Sequence, residues 1–452
     1  QVGSSAASDV YKRQVINWFS DSENMLVKMI SRNKKPLIDT NKIVPDGPTI
    51  STNFGEKAQN RTYQDLLKNK FDEHNFEQLS TSTIYKVSID GAVKKWMDDG
   101  MYRTISFSPN GEYVMISKIN KPFSYLVTYS RFPTETNIYN KDGDFVSNLQ
   151  KVPLIEELPK GFMSVRTGKR SFSWRPDKGA SLTYVTALDS GDPSKKVDFR
   201  DEVYELNYPF SGKGKFILKT INRFSGIDWG TKDMAIAYDT WWNTRNRKSY
   251  VFNPSNPNIK PKIISDRNYQ DTYSDPGNFL RSRNEFNRSV LKMHYGNIFL
   301  RGQGFSPNGQ FPFIDKVNTK TFEKTRVYQS SYTDKIESII DYDPKKNQLT
   351  VSIESPSEYP NYYTKKIKSG KLEKITNLKN PFLELQNVKK EKITYLRKDG
   401  VELSGILYLP LNYDKEKKEK MPMILWAYPR EFKDRKSASQ NTKNSNEFTY
   451  PY

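Results

Sequence analysis

Cysteine is absent from the 452-residue sequence, and histidine occurs only as His74 and His294. The first absence excludes disulfides and thiolate metal ligands. Together the two scarcities all but exclude a zinc centre built from Cys and His. No cofactor or metal site is read from the sequence. Long apolar runs are missing too: no window reaches the roughly 18 apolar residues of a membrane-spanning helix. The opening stretch "QVGSSAASDVYKRQ" lacks the apolar centre of a signal peptide. It looks like translated adaptor sequence, so residues 1–14 are set aside from the fold. On that reading the native N-terminus, and any export signal with it, is expected to be missing. The compartment, bacterial periplasm or cytoplasm, and the oligomeric state are left open.

Acidic residues are in short supply, 52 against 72 lysines and arginines, for a net charge of +20. Such an excess suits nucleic acid or an anionic surface. The basic residues are scattered, however, and the densest clusters, Lys389-Lys390-Glu391-Lys392 and "DKEKKEK" (414–420), contain acids. No RNA-binding aromatic motif or zinc-finger spacing accompanies them. A solvated basic surface is the plainer reading, and neither nucleic acid nor a membrane is expected as a partner. An acidic peptide would also be drawn to this field.

What the chain has in abundance is aromatic residues, 13% of the total, within a hydrophobic fraction of only 35%. Many short strands with Tyr and Phe on half-buried faces would give that balance. From about residue 80 to 380 the pattern is strand, tight turn, strand. "TIYKVSIDGAVKKW" (83–96) places Tyr85, Val87 and Ile89 on one face and turns at Asp90-Gly91. "RTISFSPNGEYVMISKI" (103–119) turns at Ser108-Pro109-Asn110-Gly111, and "TNIYNKDGDFVSNL" (136–149) turns at Asp142-Gly143. The same unit recurs at "FSWRPDKGASLTYV" (172–185), "IDWGTKDMAIAY" (227–238) and "IDYDPKKNQLTVSI" (340–353), and "SPNG" returns at 306–309. Repeated small antiparallel sheets that cannot bury both faces alone predict a β-propeller in preference to a sandwich. Residues 65–79 suit either a short helix or a strand edge. After 377–387 the composition shifts. There "EKITYLRKDGVELSGILYLPLNYD" (391–414) reads as two long strands joined at Asp399-Gly400, followed by a charged loop and the apolar strand "MPMILWAY" (421–428).

That last region is similar to the opening of the catalytic domain in prolyl oligopeptidase family serine peptidases, and most of all to their glutamyl endopeptidase-like branch. The likeness extends through "WAYPREFKDRKSASQ", "ESPSEYPNYYTKKIKSGKLEKIT" (354–376), "GFSPNGQFPFIDKVNTKT" (304–321), "SFSWRPDKGASLTYVTALDSGDPSKKVDFRDEV" (171–203) and "SRFPTETNIYNKDG" (130–143). It covers nearly everything from about residue 25 onward, in one order. The resemblance implies a seven-bladed propeller over residues 15–385, its first blade incomplete. Residues 386–452 would then be the truncated beginning of an α/β-hydrolase domain. It also implies peptide substrates, acidic ones included, with cleavage after Glu by a Ser-Asp-His triad. Tyr428, by itself an ordinary turn tyrosine before proline, becomes the donor to the oxyanion. Arg430, next to that turn, becomes a substrate contact, with a structural salt bridge as the plainer alternative. For Arg175, Arg200 and Arg245 a structural ion pair is the expected role.

No G-x-S-x-G nucleophile elbow is present; "GASLT" (179–183) and "GFSPNG" (304–309) fail its spacing. His74 and His294 precede the presumed catalytic region, the wrong order for the base, and read as surface or blade residues. The chain is therefore expected to be an inactive fragment of a serine peptidase. The competing readings are a propeller that serves as a binding or scaffold module, and a nucleic-acid binder driven by charge.

Overall fold

The computed structural model describes residues 15–39, 42, 44, 47, 63–386, 388–417, 419–428 and 430–448. It is mainly β, and most of its strands fall into consecutive four-stranded meanders, the building unit of a propeller blade. The sequence expectations that fall on residues 1–14, and on Pro429 beside the two candidate site residues, lie outside the described residues.

The first meander is formed by β1 (Ile16–Trp18), β2 (Asn24–Ile30), β3 (Ser82–Ser88) and the near half of β4 (Val93–Phe107). The far half of β4 begins the second, which continues through β5 (Tyr113–Ile119), β6 (Thr134–Asn140) and β7 (Phe145–Val152). The switch is sharp: β3 pairs with Val93 to Gly100, and β5 with Met101 to Phe107. A third sheet holds β8 (Arg170–Trp174), β9 (Ser181–Ala187), β10 (Asp201–Asn207) and β11 (Lys215–Thr220). A fourth holds β12 (Arg223–Thr231), β13 (Met234–Trp241), β14 (Asn246–Phe252) and β15 (Lys262–Asn268). The fifth is built on Asn278–Phe279, Asn297–Gly302, Phe313–Asn318 and Lys324–Gln329, and the sixth on Ile336–Asp343, Gln348–Glu354, Asn361–Lys366 and Leu372–Lys374. A separate hairpin, Lys389–Leu396 with Glu402–Leu409, follows.

Turn chemistry explains most of these boundaries. Gly91, Gly111, Gly143 and Gly400 all take positive φ at the expected hairpin turns. At Ser108 the side chain accepts from the Tyr113 amide at 3.0 Å, and Asn110 Oδ1 accepts from the Glu112 amide at 3.2 Å, which closes the loop locally. Residues 65–79 resolve in favour of a helix, α1 (Lys70–Ser80). Its Asn69 cap accepts from the Phe71 and Asp72 amides, and Asp72 and Glu73 occupy the first turn.

Two sequence expectations are corrected. In β3 the fully buried apolar side chain is Ile84, while Ile89 beyond the strand is exposed. Ile84 lies on the face opposite Tyr85 and Val87, which are half-buried, so the most deeply buried side chain of β3 is not one that the alternation picks out. The second "SPNG" does not join blade strands. It closes a two-stranded hairpin, Phe305–Ser306 with Gly309–Gln310, so the same tetrapeptide serves a different element.

The chain divides into two compact units. One runs to Phe224 and includes Phe252–Lys260 and Asn284–Arg288; the other comprises Ser225–Val251, Pro261–Arg283 and the chain from Ser289. Within the first unit, Leu26 and Ile84 of the first meander pack with Val114 and Ile116 of the second. Ile138 and Leu149 of the second pack with Leu182, Tyr184 and Leu206 of the third. Within the second unit, Ile236 packs with Ile298 and Leu300, and Ile314 packs with Ile339, Leu349 and Val351. Within each unit a sheet thus finds apolar cover on its neighbour, as a repeat of incomplete units requires. Burying each such Leu or Ile contributes about 1.5–3 kcal/mol.

Candidate active-site segment

The apolar stretch 421–428 was expected as a strand, and the structure corrects this. It lies outside any strand, and its side chains are exposed, Ile424 by 95% and Tyr428 by 84%. A single extended segment satisfies its backbone groups only through a neighbouring strand. Among the described residues no strand pairs with it. Its composition supplies β-propensity, but propensity without a partner does not make a sheet. Tyr428 and Arg430 are both exposed, and neither has a hydrogen-bond, ring or ion-pair partner among the described residues. The structure does not bring the two together on a common partner.

The chain that follows is held firmly. Gln270 clasps it at both ends of its amide: Nε2 donates to the Glu431 carbonyl at 2.7 Å, and Oε1 accepts from the Lys433 amide at 3.2 Å. Arg245 Nη2 reaches the same carbonyl at 3.3 Å and the Glu431 carboxylate at 3.4 Å. Asp434 accepts from the Ser437 amide at 2.7 Å at the head of a single helical turn, Arg435–Ala438, and from Asn268 Nδ2 at 2.6 Å. Gln440 Oε1 then accepts the amides of Thr272 and Tyr273 at 2.6 and 3.1 Å, while its Nε2 donates to Asp271 at 2.5 Å. Burial opposes the charge of Asp271, but Gln440, Lys436 and Ser274 hold its carboxyl below the ordinary range.

Sequence reasoning missed Gln270, Asp271, Asp434 and Gln440. The readable signal was Asp434 ahead of "RKSA", a helix-capping pattern; the other contacts join residues about 160 positions apart and leave no local trace. Arg245 was expected to make a structural ion pair, and it does. It is 1% exposed, its guanidinium carbon lies 3.7 Å from the Trp242 ring centre, and it takes positive φ. Arg175 and Arg200 follow suit: Arg175 binds Asp177 at 2.6 Å and Glu205 at 3.0 Å, and Arg200 binds Asp189 at 2.8 Å. Neither histidine makes a catalytic contact. His74 Nε2 hydrogen-bonds the Pro36 carbonyl at 3.0 Å, and His294 packs against Tyr295.

Chemically, the segment presents a phenol whose hydroxyl is free to donate, tethered to a rigid anchor a few residues downstream. No family model matches the chain. Among curated proteins it is 36% identical over 422 residues to the probable chloroplastic glutamyl endopeptidase of Oryza sativa subsp. japonica. That match takes in 90% of this chain and 45% of the rice protein. With the Arabidopsis thaliana protein of the same description the identity is 33% over 467 residues, 98% of this chain and 48% of that one. The chain is similar to these glutamyl endopeptidases over nearly its whole length. Glutamyl endopeptidases are also what the sequence resemblance points to. The chain spans about half the length of these curated relatives. Among solved structures, Pyrococcus horikoshii acylaminoacyl peptidase is similar at 12% identity and a TM-score of 0.40, over 74% of this chain and 48% of that one. The β-propeller domain of the trilobed protease from Pyrococcus furiosus is similar at 10% identity and 0.34, over 81% and 85%.

Proposed function

We propose that the glutamyl endopeptidase-like chain belongs to a serine peptidase that hydrolyses peptides after glutamate. In this reading residues 15–385, whose described strands give six meanders, belong to a seven-bladed propeller that gates access, and 386–452 begin an α/β-hydrolase domain. The observation that carries it is collinear identity to glutamyl endopeptidases across 90–98% of the chain. The meanders packed sheet on sheet, and the long hairpin that follows them, support the division.

Tyr428 donates to the oxyanion of the tetrahedral intermediate, and Arg430 contacts the substrate. Acyl transfer builds negative charge on one oxygen, and a donor pre-aimed at that oxygen lowers the barrier more than it favours substrate. The free hydroxyl of Tyr428 and the anchored segment behind it support this role. When 421–428 pairs into a parallel sheet, the clasp at Gln270 and Gln440 fixes one end, and the strand delivers the phenol. Arg430 has the geometry to bind a carboxylate through two parallel N–H bonds.

In the full-length peptidase, Tyr428→Phe is expected to lower kcat about 10²- to 10³-fold with little change in KM. Equal loss through KM alone would remove the oxyanion role. The 452-residue chain carries no G-x-S-x-G elbow, so a fluorophosphonate probe is expected to leave it unlabelled. Stoichiometric labelling would show a nucleophile elsewhere in the chain.

A further inference from the structure

Beyond β7 the chain runs without helix or strand from Pro153 to Pro159 and borders a cavity of about 620 Å³ within the first unit. Its volume is that of a small-molecule site, and its lining mixes apolar side chains such as Val152, Leu154 and Leu158 with Arg166 and Lys169. Both cations are half-buried. The Arg166 guanidinium donates to Gln150 Oε1 at 2.5 Å and to the carbonyls of Thr167, at 3.0 Å, and Lys169. Lys169 Nζ donates to the Gly212 carbonyl at 2.5 Å and lies 4.9 Å from the Tyr184 ring centre. Every one of these acceptors is neutral.

The neighbouring carboxylates are already taken. Asp201 binds Arg170 at 2.5 Å and Arg223 at 3.0 Å, while Asp189 binds Arg223 at 2.7 Å and Arg200 at 2.8 Å. Glu156 and Glu157 also line the cavity, but among the described residues neither is within ion-pair distance of Arg166 or Lys169. Glu156 instead accepts from Ser124 Oγ at 2.6 Å. Burial, then the nearby Arg170 charge, disfavours the charged form of Arg166, and burial does the same for Lys169. A desolvated cation without a counter-ion is costly, and an incoming anion relieves that cost.

We propose that this cavity binds a carboxylate carried on an apolar body, with Arg166 and Lys169 holding the carboxylate and the wall around Leu154 and Leu158 holding the rest. A guanidinium and an ammonium on neutral supports present several donors to one oxyanion. Two sources share this chemistry: the free C-terminus of an apolar peptide and a small branched carboxylic acid.

Isothermal titration of the 452-residue chain separates the outcomes. The probes are an N-acetylated Ala-Val-Leu tripeptide with a free C-terminus, the same peptide amidated, and 4-methylpentanoate. The free-acid peptide is expected to bind, the amidated peptide about 10- to 100-fold more weakly, and added salt to weaken both the free acids. Equal binding of 4-methylpentanoate assigns the site to small acids; its absence, with peptide binding retained, assigns it to chain termini. Arg166→Gln and Lys169→Gln are each expected to cost about 10-fold or more, with Arg166→Lys recovering part of the loss. Thermal melting of each variant checks the fold, and Lys169→Gln decides should Arg166→Gln not fold. No binding by either free acid, tight binding of the amide, or unchanged affinity in a folded Lys169→Gln variant overturns the proposal.

Discussion

Asp189 is fully enclosed, and its carboxylate serves two guanidiniums and the Gly191 amide at 2.9 Å. Burial alone would raise its pKa, yet Arg223, Arg200 and the Gly191 amide hold it below the ordinary 3.8. The sign follows: a depressed carboxyl contributes stability that is complete above 3.8 and is lost as pH falls through the lower folded value. Asp189→Asn is therefore expected to cost about 3–5 kcal/mol near neutrality, because two cations lose their partner. Most of that deficit should vanish in urea melts once the pH has fallen through the depressed folded-state value, where the wild-type carboxyl is itself protonated. Gly191 is constrained by position as well as charge. Its φ is +76°, and an added Cβ would lie 1.8 Å from the Val165 carbonyl oxygen. Gly191→Ala is expected to destabilise by at least about 1 kcal/mol, read as a lower midpoint in urea at unchanged slope. Single residues of this kind were the least legible in the sequence. "ALDSGDPSKK" marks a turn, but nothing local reveals that Asp189 is the hub of an ion cluster reaching Arg223.

At the scale of elements, hairpins were read well because their determinants are adjacent: Asp-Gly and Asn-Gly pairs fix the turn, and the turn fixes the register. Face assignment in inner strands was read poorly. Ile84 shares its face of β3 with Ser82, Lys86 and Ser88, so polar neighbours in the sequence mask the most deeply buried position. The apolar segment 421–428 failed for the opposite reason, since its sequence says strand while its backbone finds no partner. The anchor behind it is testable. Gln440→Ala removes the acceptor for the Thr272 and Tyr273 amides. Hydrogen exchange at those two amides, and proteolysis after Arg435 or Lys436, should both accelerate, with the melting temperature of the remaining sheets nearly unchanged. Helix α1 offers a smaller effect: Asn69→Ala leaves two first-turn amides without their acceptor and should cost about 1 kcal/mol.

On the scale of the whole chain, apolar cover is passed from one sheet to the next within each unit, so stability is a sum of local interfaces. Leu182→Ala, in the cluster between the second and third meanders, should cost about 2–5 kcal/mol and loosen both of them. Among the described residues β4 alone belongs to two meanders at once, with the change of partner between Gly100 and Met101. Elsewhere in the chain a loop separates one repeat from the next and offers a place to cut, duplicate or recombine. Here the seam between repeats is a continuous run of strand. A chain break at that point would sever both neighbours together, and the first two repeats must therefore be gained, lost or unfolded as a pair.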